Sequence, residues 1–242
     1  MSDTPGAPDS DAVPDLPSIV AKPTVRDLPA GYLYGVTRYA DLILREAVPQ
    51  RYRDLVETLS GFSIDLDELL KGGGGRASHT ARFDATLAGR GWGKRNISIS
   101  RLIDDLLLHQ TRGHEIDMFA VGSSDDPYPG VGVEMEWNNK DPFYDRDLLN
   151  FRALHHEGAL AVGIIVTRGP ALQRVLGATI RSTATANNMK YGQSSTHWNK
   201  LIPRVNLGGG GECPLLLIGI EPPRIVGFQT LQAAFDAGSM LP

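Results

Sequence analysis

The sequence predicts an α/β fold, and three observations support this. Two near-continuous apolar runs, residues 159–167 (ALAVGIIVT) and 214–220 (PLLLIGI), are typical of strands buried on both faces of a sheet. Segments with helical periodicity alternate with strand-like segments along the chain, which favours helices packed around one central sheet. At 242 residues the chain is long enough to bury a sizeable core in one large domain.

Composition excludes several classes of protein. Hydrophobic residues make up 41% of the chain and charged residues 21%, which argues against a largely disordered, collagen-like or coiled-coil protein. The single cysteine, Cys213, rules out an intrachain disulfide and a cysteine-cluster zinc site. No apolar run approaches the ~18–20 residues that cross a bilayer, and residues 1–18 lack the pattern of a signal peptide. We therefore expect a cytoplasmic protein without a membrane-spanning segment.

The chain divides into an arm and one domain. Residues 1–30 are rich in Pro, Asp, Ser and Ala, which predicts a disordered or loosely packed N-terminal arm. Residues 31–242 are predicted to form a single domain. Within it, residues 31–110 are expected to be mainly helical, and the core of the sheet is expected over about residues 111–222.

Hydrophobic periodicity then predicts the individual elements in order. In the first half it predicts helices over residues 36–48, 51–59 and 97–108, with a short helical or turn segment over residues 64–70. The glycine run 72–75 is interpreted as a flexible loop, because the lysine and the preceding strand of a phosphate-binding loop are missing. In the second half, two strands joined by a polar turn and three later helices are predicted: strands 114–120 and 130–137, and helices 147–155, 170–176 and 194–202.

Three acidic residues on the two predicted neighbouring strands form a candidate metal site. Alternation along residues 131–138 puts Glu134 and Glu136 on one face, opposite Val133 and Met135. If the two strands pair through the turn between them, Asp117 lies opposite this pair. Converging carboxylates repel one another unless a cation is present, and their hard oxygens suit Mg²⁺. A hydrated edge of the sheet is the alternative interpretation.

The charge distribution favours a polyanionic partner. Lys and Arg number 24 against 28 Asp and Glu, a net charge of −4, which by itself argues mildly against a nucleic-acid-binding protein. However, residues 158–211 contain six Lys or Arg and no Asp or Glu. Such a segment can hold a polyanion locally without strong indiscriminate binding, although chance and a solvated surface would also explain it.

The segment 131–152, VGVEMEWNNKDPFYDRDLLNFR, resembles the catalytic strand and following helix of BglII/BamHI-type restriction endonucleases of the PD-(D/E)XK superfamily. The resemblance covers roughly residues 83–220, and its most specific part is EMEWNNKDPFYDRDL. It implies a restriction-endonuclease-like core with a mixed central sheet flanked by helices. Two positions depart from the usual pattern: Ile116 replaces the proline before the first acid, and Glu136 replaces the lysine, as in the BamHI-like branch.

The resemblance implies catalytic roles for three residues. Asp117 and Glu134 would be Mg²⁺ ligands, and Glu136 would orient or deprotonate the attacking water. An alternative register makes Glu136 the ligand and Asn138 the third member, which leaves Glu134 without a role. Lys140 would contact a phosphate, although a salt bridge with a nearby Asp is an equal alternative.

A dense array of hydrogen-bonding side chains follows in the acid-free segment. Asn, Arg and Lys side chains read base edges in the major groove, and a helix N-terminus can bind a phosphate. The alternative is a hydroxyl N-cap followed by a solvated helix. We expect DNA contacts from Lys140 and from eight residues of this segment: Lys190, Ser194, Ser195, Thr196, His197, Asn199, Lys200 and Arg204.

The resemblance implies a type II restriction endonuclease that uses Mg²⁺ to cut both strands of a short, palindromic double-stranded DNA site, leaving 5′-phosphate and 3′-hydroxyl ends. One active site per subunit would call for a two-fold homodimer, and a cognate DNA methyltransferase is expected in the same cell. Three alternatives stay open: a structure-selective or repair nuclease of the same superfamily, a non-catalytic DNA-binding protein, and a carboxylate-pair glycosidase that works without metal.

Overall fold

The computed structural model describes residues 17–71, 75–111, 113–123, 125–182 and 189–241. The strands are β1 (Tyr32–Val36), β2 (Ile64–Asp65), β3 (Gly93–Ile97), β4 (Ser100–Ile103), β5 (Leu106–Gln110), β6 (His114–Ala120), β7 (Gly130–Met135), β8 (Leu160–Arg168), β9 (Leu215–Ile220) and β10 (Ile225–Val226). The helices are α1 (Ala40–Ala47), α2 (Pro49–Gly61), α3 (Leu66–Leu70), α4 (Ser78–Ala88), α5 (Phe143–His156), α6 (Pro170–Thr179), α7 (Trp198–Asn206) and α8 (Phe228–Asp236).

A six-stranded mixed sheet organises the fold, in the order β1-β9-β8-β7-β6-β3. Strands β7, β8 and β9 run parallel, whereas β6 pairs antiparallel with β7 and β1 pairs antiparallel with β9. The central strands are buried along almost their whole length, as expected for parallel strands covered on both faces. The predicted α/β class with a mixed central sheet flanked by helices is confirmed.

Helices cover both faces of this sheet. One face packs against a large core to which α1, α2, α4, α6 and α8 contribute, whereas the other packs against α5 and α7. The smaller core contains Tyr144, Leu148, Phe151 and Leu154 of α5 beside Leu201 of α7. Helix α5 therefore lies against the middle of the sheet, because the Phe151 ring is the group nearest to Gly163 of β8 and would lie 3.2 Å from a Cβ built on Gly132 of β7.

The helix predicted over residues 97–108 is wrong. These residues form the end of β3 and a hairpin of β4 and β5, which pair antiparallel outside the main sheet. Asp104 and Asp105, at φ 48° and 65°, make the turn between them, and two successive left-handed residues are what a two-residue hairpin turn requires. The apolar residues have helical spacing, but all nine strand residues of the hairpin are exposed and cover no core.

Other boundaries differ from the prediction in smaller ways. The start of the helix predicted over residues 36–48 is wrong, because the chain first forms β1 and the helix begins at Ala40. Pro49 begins α2, because a proline fits the first turn of a helix, where its missing N–H is not needed. The helix predicted from residue 194 begins instead at Trp198, so residues 194–197 precede it.

The described part of the N-terminal segment runs along the domain. Ala21 and Val36 exchange backbone hydrogen bonds of 2.8 Å, and the Asp41 carboxylate accepts hydrogen bonds from the amides of Thr24 and Val25. Residues 1–16 of the predicted arm and 72–74 of the predicted glycine loop lie outside the described residues. Among the helices of the described ranges, none is long and apolar enough to cross a membrane.

Candidate active site

Strand β7 carries two glutamates into the interior of the protein. Val133 and Met135 belong to the larger core, so Glu134 and Glu136 project from the opposite face, toward α5. Their side chains are almost completely buried, with 2% and 3% of their surface exposed. The alternation predicted from the sequence is therefore present, but both acids lie inside the protein rather than at a hydrated edge.

Helix α5 supplies a third carboxylate. Asp147 is completely buried, and one oxygen each of Glu134, Glu136 and Asp147 lie within 4.8 Å of one another. The sequence reasoning missed Asp147 as a site residue. The available signal was its position at helical spacing among Tyr144 and Phe151, which form the buried stripe of α5. An acid in the middle of an apolar stripe is rarely buried without a partner.

The three carboxylates do not ionise independently. Burial raises the pKa of Glu134, Glu136 and Asp147 above the ordinary range, and the negative charge of Asp147 raises the pKa of both glutamates further. At neutral pH and without a cation, the cluster therefore retains protons. A divalent cation would replace these protons, because its charge removes the repulsion that keeps them bound.

Two neighbours hold the cluster in position. Arg146 donates hydrogen bonds to Asp147 Oδ1 at 2.7 and 2.9 Å, and its guanidinium lies 3.6 Å from Glu136 Oε1. Asn139 Nδ2 donates to Glu136 Oε2 at 2.6 Å. Asp147 Oδ2 is buried and accepts no hydrogen bond from the described residues. This free oxygen beside two glutamates fits a hard cation such as Mg²⁺, which takes carboxylate oxygens as ligands.

Asp117 lies at the edge of this cluster. Its backbone N–H donates to Glu134 Oε1 at 3.2 Å, whereas its carboxylate is 35% exposed and lies 3.6 Å from Arg76 Nη2. The group of three close carboxylates in the described chain does not include Asp117. Its charge nevertheless contributes to the raised pKa of Glu134 and of Asp147, as expected for an acid beside the cluster.

A bulge accounts for the orientation of Asp117. Gly93 of β3 pairs with Phe119 and Arg95 pairs with Ile116, so β6 advances three residues while β3 advances two. The extra residue lies at Asp117–Met118, where it interrupts the regular alternation of β6. Such bulges re-aim side chains and are frequent beside active sites.

A cleft with basic walls lies beside the cluster, and Asp117 and Asn139, which line it, are hydrogen-bonded to Glu134 and Glu136. A cavity of about 720 Å³ is bounded by Asp117 and Asn139 on the side of the carboxylates and by Lys71, Arg76 and Lys190 on the others. The Lys190 ammonium is held in place, because it donates hydrogen bonds to the carbonyl oxygens of Leu69, at 2.7 Å, and of Lys71. Basic side chains that attract an anion therefore lie close to the carboxylate cluster, although none of its three carboxylates lines the cavity.

The residues predicted to contact DNA differ in burial: some are buried, some are half-buried and some are exposed. Thr196 and His197 are buried, whereas Lys140, Ser194 and Asn199 are exposed. Ser195 forms an isolated backbone bridge with Lys140, and its hydroxyl accepts a hydrogen bond from Arg168 and donates one to the Gly192 carbonyl. The side chains of Thr196 and His197 thus face the interior, not the surface on which the prediction placed them.

Lys200 and Arg204, the two basic residues of α7 that were predicted to contact DNA, already have acidic partners. Arg204 donates to Asp145 at 2.9 Å and lies 3.5 Å from Asp141, and Lys200 lies 3.8 Å from the same Asp141. These ion pairs are partly exposed, so each contributes little to the stability of the fold. A DNA phosphate can therefore replace the carboxylate as the partner of either basic side chain.

A buried arginine missed by the sequence reasoning supports the loop before α7. Arg168, at the end of β8, is completely buried and donates to the Thr196 carbonyl and to Ser195 Oγ, each at 2.6 Å. Its guanidinium stacks 4.9 Å from the centre of the Tyr191 ring. Burial lowers its pKa to about 10, so it remains charged at neutral pH.

Comparison with known protein families gives a match over most of the chain. A family model described as Restriction endonuclease BglII/BglIII matches residues 32–220, which include the whole six-stranded sheet and the three carboxylates. No curated protein matches the chain.

Proposed function

Because this chain belongs to the restriction endonuclease BglII/BglIII family, we propose that it cuts both strands of a short palindromic DNA site with Mg²⁺, leaving 5′-phosphate and 3′-hydroxyl ends. The family membership itself makes the protein a type II site-specific deoxyribonuclease with DNA as its substrate. The metal, the symmetry of the site and the ends are the proposed part, as is membership of the PD-(D/E)XK superfamily.

The buried carboxylates carry this proposal. Glu134 and Asp117 would hold Mg²⁺, and Asp147 would join them from α5, because its Oδ2 lies free within the cluster. Bound Mg²⁺ would supply Lewis-acid polarisation of the phosphate and a lowered pKa for water. Such a site needs oxygen ligands with satisfied partners behind them, which Arg146 and Asn139 supply to Asp147 and Glu136.

Glu136 is the proposed acceptor of the proton from the attacking water. Burial raises the pKa of Glu136 to about 8 in the metal-free site, and the charge of a bound cation would lower it again, so that the carboxylate is ionised at neutral pH and can accept a proton. Water would add to phosphorus in line with the 3′ oxygen. The bond from phosphorus to that oxygen would break, the water proton would pass to Glu136, and the 3′ oxygen would take a proton from solvent. Asn139 keeps Glu136 in the orientation for this transfer.

DNA would lie across the basic cleft. Lys71 and Arg76 at its wall, with the exposed Lys140, Ser194 and Asn199, are the proposed contacts to phosphates and bases. Lys190, Lys200 and Arg204 would add positive charge there. Ser195, Thr196 and His197 would act indirectly, through the shape of the loop that Arg168 supports. Low net charge fits sequence selection, because excess affinity for phosphate would strengthen binding to every sequence.

Two partners follow from this function. One set of carboxylates per chain makes a two-fold homodimer the proposed cutting unit for a palindrome. A cognate methyltransferase that protects the same site in the host is the second expected partner.

Digestion of DNA of known sequence with Mg²⁺, followed by sequencing of the ends, tests the proposal. We expect discrete fragments whose ends fall at one symmetric sequence, and no cutting in EDTA. Cutting without sequence preference would instead indicate a structure-selective or repair nuclease. Duplex binding without any cutting would indicate a non-catalytic DNA-binding protein.

A further inference from the structure

The β4–β5 hairpin exposes large apolar side chains on both of its faces. Its five large apolar side chains are 59–74% exposed: Leu102, Ile103, Leu106, Leu107 and Leu108. Leu102 and Leu107 share one face, and the other three share the opposite face. Together they offer on the order of 300 Å² of apolar surface, counting ~100 Å² for a fully exposed side chain of this size. Exposed apolar surface of this extent on a soluble protein marks a site of association.

The hairpin is attached to the domain only at its base. The Thr111 amide donates to the Ile99 carbonyl at 2.9 Å, and Arg101 forms an ion pair with Glu157 at the end of α5. Within the described ranges, strands β4 and β5 pair with each other and with no other strand. An isolated two-stranded hairpin is marginally stable in water, so this one gains order when a partner covers it.

A groove lies between the base of the hairpin and α5. Its volume is about 760 Å³, and its walls include Leu149, Ala153, Arg152 and His156 on α5 together with His109 on the hairpin. Leu149 is 60% exposed, so the groove has an apolar patch of its own. Arg152 is exposed and forms no salt bridge within the described part of the chain.

Charge complementarity between the hairpin tip and Arg152 favours a second copy of this chain as the occupant of the groove. The tip of the hairpin is the pair Asp104 and Asp105, which would repel a DNA phosphate but complement Arg152. The groove is lined by two arginines, Arg101 and Arg152, and by two glutamates, Glu157 and Glu212. Because Arg101 is paired with Glu157, Arg152 is the base that the acidic tip complements. Tip and groove lie on the same chain, so two copies related by a two-fold axis satisfy both at once.

We propose that the β4–β5 hairpin is the dimerisation arm of this protein: each hairpin docks into the groove of a second copy, with Asp104 and Asp105 at the partner's Arg152. The inference deepens the proposed function, on which it rests, because that function calls for a two-fold dimer. Contact between the two hairpins alone would bury less than the ~1,000 Å² of a specific interface, whereas reciprocal docking adds both grooves.

Sedimentation of the full chain without DNA or metal tests the arm separately from cleavage. The first variant is the double substitution Leu106→Arg with Leu107→Arg, which places a charge on each face of β5. Both side chains are exposed, so the domain folds as before, which far-UV circular dichroism verifies. The matched control is Leu207→Arg, an 88% exposed leucine outside the hairpin.

We expect a dimeric wild type, a dimeric Leu207→Arg variant, and a dimer Kd raised at least about 100-fold in the double variant, which corresponds to about 2.8 kcal/mol. Arg152→Glu should also weaken the dimer. Adding Asp104→Asn and Asp105→Asn to it should cause less further weakening than in the wild type, because the paired charge is already lost. Asn keeps the left-handed turn that these positions need.

Two outcomes would contradict the proposed dimerisation arm. The first is a monomeric wild type, and the second is a double variant that dimerises as well as Leu207→Arg. If the wild type is monomeric and the double variant also loses duplex affinity, the hairpin is assigned to DNA binding. No step of this measurement depends on DNA cleavage. A protein that dimerises through the hairpin but fails to cleave DNA would therefore contradict the proposed nuclease function and not the dimerisation arm.

Discussion

Glu136, the residue that follows strand β7, and Asp147 on helix α5 bring carboxylate oxygens within 4.8 Å of each other inside the protein, with Arg146 contacting both side chains. Two acids of like charge remain so close in a buried site only if protons, a cation or the arginine offset the repulsion. Among the described residues, Arg146 is the arginine that offsets part of this repulsion. The proposed function requires Mg²⁺ as the cation that offsets the rest.

Asp147→Asn should abolish or strongly reduce cleavage, by at least about 100-fold, because it removes a proposed ligand without changing the side-chain volume. The same substitution should raise the thermal midpoint of the metal-free protein, since one repelling charge is lost. Cleavage assays and thermal unfolding measure the two effects. Asp145→Asn is the control on the same helix, because Asp145 is exposed and pairs with Arg204. Equal activity of Asp147→Asn and wild type would remove Asp147 from the site.

The metal-free protein should lose stability as pH rises. Burial raises the folded-state pKa of Glu134, Glu136 and Asp147, so the folded state binds more protons than the unfolded chain from about pH 4–5 upward through neutrality. The free energy of unfolding therefore falls across that range.

Ca²⁺, which substitutes for Mg²⁺ without supporting cutting in this test, should stabilise the protein more at pH 8.5 than at pH 6, because metal and protons compete for the same oxygens. Thermal unfolding in Ca²⁺ and in EDTA at both pH values measures the difference. Stabilisation that is independent of pH would contradict a metal site built from these acids.

Glu134→Gln and Asp117→Asn should each abolish cleavage while specific duplex binding is kept, or improved in Ca²⁺, because each removes a negative charge that faces the phosphate. Asp117→Asn leaves the backbone hydrogen bond to Glu134 intact. Gel shifts and cleavage of the same duplex separate binding from chemistry. A variant that cuts DNA at the wild-type rate would contradict the proposed role of the substituted residue as a metal ligand.

Lys200→Ala and Arg204→Ala should weaken duplex binding or broaden the recognised sequence. A phosphate contact would lower the affinity for all sequences and reduce the salt dependence, whereas a base contact would relax one position of the site. Binding titrations at several salt concentrations distinguish the two. Arg45→Ala is the control, since the Arg45 side chain on α1 is partly exposed and forms a salt bridge only with Glu46 among the described residues. Unchanged affinity and selectivity in both variants would place recognition elsewhere.

Elements whose pattern is local could be predicted well. Strand β6 has its predicted bounds, and β7 begins where predicted, because each alternates or runs apolar between polar turns. The β4–β5 hairpin was mistaken for a helix because Leu102, Leu106 and their neighbours fit helical spacing, and only the left-handed turn at Asp104 and Asp105 excludes it. Strand β1 was missed because its five residues pair with the distant β9.

By itself, the sequence determined the class of fold, the antiparallel pair of strands and the face on which Glu134 and Glu136 lie, because a strand's alternation is a property of consecutive residues. Only the tertiary structure decided that Asp147 completes the cluster, that a bulge turns Asp117 to its edge and that Arg168 lies buried behind the loop before α7. Each of these depends on which distant segments pack together, and burial and charge proximity exist only after that packing has formed.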